Sequence, residues 1–303
     1  MTRTFPQQQV RLIVPFGRDG ATDLVARMLA HQLSQRWPQP CAVENHPGEG
    51  GTRGAAIAAR ASPQDDVLLM GTSTTQSIAA TLYRQLPYRP IADFTPVALV
   101  GSSPNVLALH PSVPADSVRE LITLARAEPG RLSYASAGFG QTIHLCGELF
   151  RRLAQIDITH APYDQGSMSA YPDLLAGKVS IMFDNIVAVL PFVRSGELKA
   201  LAVTGAHRSN QLASVPTMVE EGVTGYEVEV WMGVLAPGAP PRDTVGLIAD
   251  DIEAALRQPA MEQGLTERGI AAAFLGPQQF AAYIAKDALR WRRILELCQI
   301  AAQ

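Results

Sequence analysis

Residues 9–37 read QVRLIVPFGRDGATDLVARMLAHQLSQRW, and this stretch decides the fold class. A short run rich in Val, Ile and Leu leads into a glycine-containing turn, and an amphipathic segment follows the turn. The first pattern is typical of a buried strand and the second of a surface helix. Strand, turn and helix in this order predict one β-α unit of an α/β protein.

The same unit recurs along the chain. CAVEN precedes GTRGAAIAARA, and DVLLMGT precedes TQSIAATLY. A second series of alternating strands and helices begins at Ser117 and runs to the strand LKALAVTG. Because parallel strands need long crossover connections, this alternation predicts mainly parallel sheets with helices on both faces.

Two extended segments separate these series. In FTPVALVGSSPNVLALHPSV, residues 94–113, two strand-like runs flank GSSPN without a helix, and a second extended stretch ends in WMGVLAP. The chain is therefore predicted to cross twice between two lobes, with residues 1–102 and 227–303 in one lobe and 103–226 in the other. The C-terminal helices are expected to pack back on the first lobe. Such a fold has a ligand cleft between its lobes and closes by hinge motion.

Composition excludes several classes of protein. The 303 residues are 47% hydrophobic and carry a formal net charge of −3, with no run of Lys or Arg. Nucleic acid is therefore not an expected partner. No stretch approaches the about 18 apolar residues of a membrane helix, and no export signal is visible at the start. The three cysteines lie far apart, so we predict buried thiols rather than disulfides or a metal site.

Four loops are predicted to face the cleft because each follows a strand and opens a helix. They read PFGRDGATD, GTSTTQ, ASAGFGQT and APYDQGS. Helix N-termini attract anions, and glycine lets the backbone approach a ligand, so a carboxylate is the expected ligand. The alternative is that Thr22, Asp23 and Thr142 only cap helices. Asp23 would repel an anion and is expected to cap.

Three classes of function remain open. A solute receptor is the main interpretation, and an enzyme or an effector-sensing module on the same fold are the alternatives. An enzyme would need a nucleophile with its base, or a metal, and the sequence has no recognisable motif for either, so no cofactor is predicted. A regulator would need a DNA-binding segment before the first strand, where only about ten residues precede it. Trp231 and Trp291 are expected in the core, whereas Phe16 is a candidate to stack on a ligand.

Several motifs, in order, resemble the solute receptors of tripartite tricarboxylate transporters, often called Bug receptors. The resemblance covers nearly the whole chain and is carried by VPFGRDGATDLVAR, VENHPGEGGTRGA, DFTPVALV, LSYASAGFGQTIHLCGELF, HAPYDQG, LKALAVTGAHRS, VPTMVEEGVTGYE and WMGVLAP. It implies a periplasmic receptor with a two-lobed, type II periplasmic-binding-protein fold. It also implies a small mono- or dicarboxylate ligand and the membrane subunits of such a transporter as partners. We expect a monomer.

Position by position, the resemblance places ligand contacts in the loops from Pro15 to Asp23 and from Ser136 to Thr142. The candidate ligand-binding residues are Phe16, Gly17, Arg18, Gly20, Thr22, Thr72, Ser73, Ser136, Gly138, Phe139, Gly140, Gln141, Thr142, Pro162, Tyr163 and Asp184.

Two loops depart from the family pattern. The first loop usually reads Pro-Gly-Gly where this chain has Arg18, Asp19 and Gly20, and Pro-Tyr-Lys-Gly is here Pro162, Tyr163, Asp164 and Gln165. Arg18 and Asp19 either form an ion pair at the rim of the cleft or Arg18 points inward and takes a carboxylate in a bidentate fork. We expect Arg18 to touch or steer the ligand and Asp19 to face solvent.

Overall fold

The computed structural model describes residues 5–62, 65–163 and 165–301. The strands are β1 (Val10–Val14), β2 (Cys41–Asn45), β3 (Val67–Thr72), β4 (Phe94–Leu109), β5 (Ser133–Ser136), β6 (Thr159–Pro162), β7 (Ile181–Asn185), β8 (Lys199–Val203), β9 (Glu229–Pro237) and β10 (Ala271–Leu275). The α-helices are α1 (Ala21–Arg36), α2 (Thr52–Ala59), α3 (Ala79–Leu82), α4 (Val118–Ala127), α5 (Thr142–Ala154), α6 (Tyr171–Leu175), α7 (Ile186–Arg194), α8 (Arg242–Leu256), α9 (Pro259–Thr266) and α10 (Pro277–Leu297). A π-helical turn, Ser73–Ile78, precedes α3, and one-turn 3-10 segments occupy Glu49–Gly51, Ser167–Ala170 and Asn210–Leu212.

The strands form one continuous sheet in the order β2-β1-β3-β9-β4-β7-β5-β6, with β8 and β10 also paired to β4. The first half-sheet contains β2, β1, β3, β9, β10 and the first part of β4, and the second half-sheet contains the rest of β4 with β8, β7, β5 and β6. The two-lobed α/β architecture predicted from the sequence is confirmed. Pairing is parallel only at the outer strands of each half-sheet, because the crossover strands β4 and β9 enter antiparallel to their neighbours.

Strand β4 corrects the expectation of two separate runs around GSSPN. It is a single strand of 16 residues that belongs to both half-sheets. Its pairing with β9 shifts register between Leu99 and Gly101, where a Cβ on Gly101 would lie 2.6 Å from the carbonyl oxygen of Ala271. The bulge thus lies at Gly101, where the neighbouring backbone of β10 leaves no room for a side chain, and Pro104 is accommodated in the last β4–β9 pair, opposite Glu229.

The two lobes share a hydrophobic core along one edge. Ile78 and Leu82, next to the π-helical turn, pack in the same buried cluster as Tyr134 of β5 and as Trp291 and Leu295 of α10. Helix α10 therefore does more than pack back on the first lobe. Its N-terminal half lies in the buried cluster of the first half-sheet, and its C-terminal half lies in the buried cluster that contains residues of β5, β7 and α5.

Buried polar contacts hold α10 in place. The indole Nε1 of Trp231, in β9, donates to Asp287 Oδ2 at 2.7 Å, and both side chains are buried. Both predicted core tryptophans, Trp231 and Trp291, are fully buried.

Of the cysteines, Cys41 and Cys146 are buried and Cys298 is partly buried, and all three are free thiols. None of the helices in the described residues has the length and apolar composition of a membrane span.

Candidate functional site

A cleft lies between the two half-sheets, where loops that follow β1, β2, β3, β5, β6 and β7 meet. Its volume is about 760 Å³, which is within the range of small-molecule sites. Loops gather here because the carboxyl ends of parallel strands in a half-sheet end at the same edge. The position of the cleft matches the interlobe site predicted from the sequence.

Helix α1 opens on the cleft. It begins after Gly20, whose extended backbone (φ −79°, ψ 166°) makes it the N-cap, and no side chain caps the helix. Thr22 and Asp23 therefore lie at the second and third helical positions, so their prediction as N-caps is wrong. Glycine leaves the first turn of backbone N–H groups without a side-chain partner and with room for a ligand.

Asp23 is buried and turned into the protein. Its Oδ2 accepts from the backbone N–H of Asp19 at 3.0 Å and from Arg27 at 2.9 Å, and its Oδ1 accepts from Asn45 Nδ2 at 2.7 Å. Burial alone would raise the pKa of Asp23, but the hydrogen bonds from Arg27 and Asn45 outweigh it and hold the pKa below its usual range. The carboxylate thus fastens the first loop to the body of its lobe, and it is not part of the cleft lining.

Arg18 lines the cleft and is exposed. No hydrogen bond or ion pair joins it to another residue in the described ranges, and none joins it to Asp19. Asp19 has a left-handed backbone (φ 65°), is exposed and does not line the cleft. Of the two arrangements predicted for this pair, the rim ion pair is therefore absent and the Arg18 side chain is left at the cleft.

Helix α5 opens on the cleft from the opposite side. Its N-cap is Gln141, one residue before the expected Thr142, and again no side chain caps the helix. The preceding loop needs left-handed backbone at Gly138 (φ 104°) and Gly140 (φ 77°). A side chain at Gly140 would also place its Cβ 2.2 Å from Leu82 Cδ2, so only glycine fits this contact between the lobes.

A buried polar group supports this loop from behind. Ser136 Oγ lies 2.6 Å from His160 Nε2 and accepts from the backbone N–H of Gly138 at 3.2 Å. His144 Nδ1 accepts from the backbone N–H of Gly140 at 3.3 Å, and its ring packs at a tilt against those of Phe139 and His160. Burial, together with the neighbouring His160, lowers the pKa of His144 to about 4. His144 is therefore neutral and positions the loop.

Asp184, at the end of β7, is the buried acid of the cleft wall. It is 2% exposed. Its Oδ1 accepts from the backbone N–H of Asn185 at 2.8 Å and its Oδ2 accepts from Tyr171 Oη at 3.1 Å. Burial raises the pKa of Asp184 to about 6, against the effect of these hydrogen bonds and of the Ser167 hydroxyl.

The candidate residues divide into two groups. Those that line the cleft are Phe16, Gly17, Arg18, Gly20, Thr22, Thr72, Gly138, Phe139, Gln141, Thr142 and Asp184. Those that lie outside the lining are Ser73, Ser136, Gly140, Pro162 and Tyr163. Several of the latter have other hydrogen bonds: Ser73 Oγ accepts from the backbone N–H of Trp231 at 3.2 Å, and Tyr163 donates to Asp173 at 2.8 Å. Asp164 lies outside the described residues.

One segment of the lining, the turn Gly48–Gly51 after β2, was not predicted. Residues 165–167 belong to the loop APYDQGS that was predicted to face the cleft, although they were not named among the candidate ligand contacts. Gly51 has a left-handed backbone (φ 91°), and a Cβ there would lie 3.0 Å from the ring of Phe16, so this glycine lets Phe16 pack at the cleft. The run of glycines after CAVEN has the same strand-then-glycine pattern as the four loops that were singled out, and it could have identified this turn.

Comparisons with known proteins agree on one family. The family model described as tripartite tricarboxylate transporter family receptor matches residues 25–300. The structure of an R. palustris protein with adipate has a TM-score of 0.93 and 34% identity, covering 98% of this chain and 99% of that one. The periplasmic binding protein BugD has a TM-score of 0.91 and 30% identity over 99% and 100%. MatC from Rhodopseudomonas palustris, with bound malate, has a TM-score of 0.88 and 32% identity over 96% and 100%.

Proposed function

We propose, because this chain belongs to the tripartite tricarboxylate transporter receptor family, that its cleft captures a small carboxylate for a transporter of that type. One observation carries the proposal: the N-termini of α1 and α5 face a single cleft, and neither is capped by a side chain. Their unpaired N–H groups and positive dipole ends favour an anion between them. By contrast, Asn185 caps the nearby helix α7 by accepting from the backbone N–H of Val187.

The ligands named for similar proteins support the proposal that this chain binds a carboxylate. The R. palustris protein is described with adipate and MatC with malate, and both ligands are small acids. A thermal-shift screen of mono- and dicarboxylates tests the proposal, since a ligand at 100 times its Kd stabilises the folded state by about 2.7 kcal/mol. A screen in which no acid raises the melting temperature would refute it.

Arg18 is the proposed side-chain contact to the acid. It is the cation on the described cleft lining and has no ion-pair partner in the structure. Arg18→Ala should weaken binding of the identified acid by about 1.5–3 kcal/mol, the usual value of a charged hydrogen bond, and leave stability unchanged. Isothermal calorimetry measures the loss, and Arg84→Ala, an exposed arginine outside the lining, is the matched control. Equal affinities of the two variants would refute a role for Arg18.

We further propose that the protein does no chemistry on its ligand. Ser136 and His160 form the arrangement that most resembles a nucleophile with its base, at 2.6 Å. Ser136, however, is fully buried and lies outside the cleft lining, and its hydroxyl bonds to its own loop. A serine that substrate cannot reach holds the loop rather than attacks. Mass spectrometry of the acid after prolonged incubation should recover it unchanged, and any product would contradict this assignment.

The lobes are proposed to comprise residues 1–102 with 227–303 and residues 103–226, and to close on the ligand. The buried cluster that joins Ile78 and Leu82 to Trp291 lies on one edge, so closure would turn about that packed edge. Solution scattering should show a smaller radius of gyration with ligand than without it. Unchanged scattering on addition of a tight ligand would contradict closure.

We also propose a periplasmic, monomeric protein that docks on the membrane subunits of its transporter. BugD is described as a periplasmic binding protein, and receptors of this family serve tripartite tricarboxylate transporters. Cell fractionation and light scattering of the purified chain test location and oligomeric state. Recovery in the cytosolic fraction, or the mass of a dimer, would contradict the respective proposal.

A further inference from the structure

Buried polar side chains without hydrogen-bond partners gather behind the cleft. Among the described residues, four such atoms lie on two segments: Gln76 Nε2, Gln76 Oε1 and Ser77 Oγ belong to the π-helical turn, and Trp291 Nε1 belongs to α10. All three residues are 0% exposed, and none of them lines the cleft. These groups therefore lie apart from the proposed ligand site.

The two segments pack against each other. Helix α10 lies along the π-helical turn, and Trp291 shares a buried cluster with Ile78, the last residue of the turn. A Cβ on Gly71 would lie 3.5 Å from Gln76 Nε2 and 2.3 Å from Leu235 Cδ1. Leu235 in turn packs in the buried cluster that contains the N-terminal half of α10. The interface between the π-helical turn and α10, called the seam below, thus contains the Gln76 amide and the Trp291 indole.

The mixture of donors and acceptors in the seam selects one kind of ligand. The indole N–H of Trp291 only donates, whereas the Gln76 amide and the Ser77 hydroxyl both donate and accept. An anion would leave the carbonyl oxygen of Gln76 without a partner, and a metal ion would leave the N–H groups without one. A water molecule both donates and accepts, and buried waters in proteins are held by otherwise unpaired groups of this kind.

We propose that ordered water molecules occupy the seam and are the hydrogen-bond partners of Gln76, Ser77 and Trp291. Buried polar groups in folded proteins almost always have a partner, because a group removed from water without one loses the hydrogen bonds that it had there. The seam lies at the packed edge that joins the lobes, so these waters connect the π-helical turn of the first lobe to the helix that bridges both lobes. The inference does not rest on the ligand of the cleft.

A high-resolution crystal structure tests the inference directly, with data from a native crystal and from one soaked in bromide. We expect water peaks within hydrogen-bond distance of the Gln76 amide and of Trp291 Nε1. Density without such peaks, or a Gln76 amide paired directly with protein atoms, would overturn the inference. An anomalous bromide peak in the seam would also overturn it, because the ligand would then be an anion.

Two substitutions test the same inference through the sign of a stability change. Gln76→Met and Ser77→Ala each remove a polar group with little change of volume. If water bonds these groups, each variant should lower the melting temperature by about 2–5 °C, because the water loses a partner that an apolar side chain cannot replace. In a dry seam each variant would remove an unpaired buried group, so an unchanged or raised melting temperature in either one would overturn the inference. Gln279→Met, at an exposed position of α10, is the control and should change the melting temperature by less than about 1 °C.

Discussion

Acidification should destabilise the protein through His144, and the effect can be isolated. This imidazole is 4% exposed and accepts a hydrogen bond from the backbone N–H of Gly140 through Nδ1. Protonation would convert that acceptor into a donor and place a cation in an enclosed site beside His160. The perturbation is a change from about pH 7 to about pH 5, made in the native chain and in His144→Asn.

The magnitude follows from the pKa in the two states. Burial and His160 lower the pKa of His144 from 6.5 in the unfolded chain to about 4 in the fold. A lowered pKa means that the native state favours the neutral ring, so its contribution is present above pH 6.5 and is lost as the pH falls towards 4. Linkage gives a loss of about 2 kcal/mol between about pH 7 and about pH 5.

Asp184 acts in the opposite direction over the same range. Its pKa is raised from 3.8 to about 6, so the stability that it contributes is present below 3.8 and is lost as the pH rises through 6. Acidification from about pH 7 to about pH 5 therefore increases the free energy of unfolding by about 1 kcal/mol through the protonation of Asp184. Through these two groups the native chain should lose about 1 kcal/mol and the variant should gain about 1 kcal/mol, so the two proteins should differ by about 2 kcal/mol.

Urea unfolding of both proteins at the two pH values measures this difference. Titrating groups distant from His144 contribute equally to the native chain and the variant, so they cancel in the comparison. Asparagine is the chosen substitution because its Oδ1 can still accept from Gly140. If the free energy of unfolding changes equally with pH in both proteins, His144 does not carry the proposed shift and the reasoning is refuted.

Two further substitutions probe packing. Gly140→Ala should cost about 2–4 kcal/mol of unfolding free energy, because it adds a clash with Leu82 to the strain of a positive φ. Gly196→Ala is the control: this glycine has a φ of 79° and no atom within 4 Å of the added Cβ, so the substitution introduces the strain alone. Equal losses of unfolding free energy in the two variants would exclude the clash. Asp287→Ala should cost about 1–3 kcal/mol because it leaves the Trp231 N–H unpaired, whereas Asp287→Asn should lose less. Thermal unfolding compares the last pair, and identical melting temperatures would show that the hydrogen bond contributes nothing.

At the cleft, features set by neighbouring residues were predictable from the sequence, whereas features set by residues far apart in the chain were not. Glycine-rich turns after strands identified the loops that open α1 and α5, since a turn and the start of a helix depend on neighbouring residues. The N-caps were placed one to three residues too late. Thr22, Asp23 and Thr142 are good capping residues, but here Gly20 and Gln141 take the cap and the helix N-termini stay open towards the cleft.

The sequence by itself determined the α/β class, the two crossings between lobes, the loops at the cleft and the family, because strand and helix periodicity and turn residues act over a few positions. Only the tertiary structure decided that β4 continues through GSSPN, that α10 bridges both lobes, and that Arg18 has no ion-pair partner in the described chain. Only the fold encloses Asp184 in the wall of the cleft. Burial, register and pKa depend on residues far apart in the chain, and a single sequence does not contain their distances.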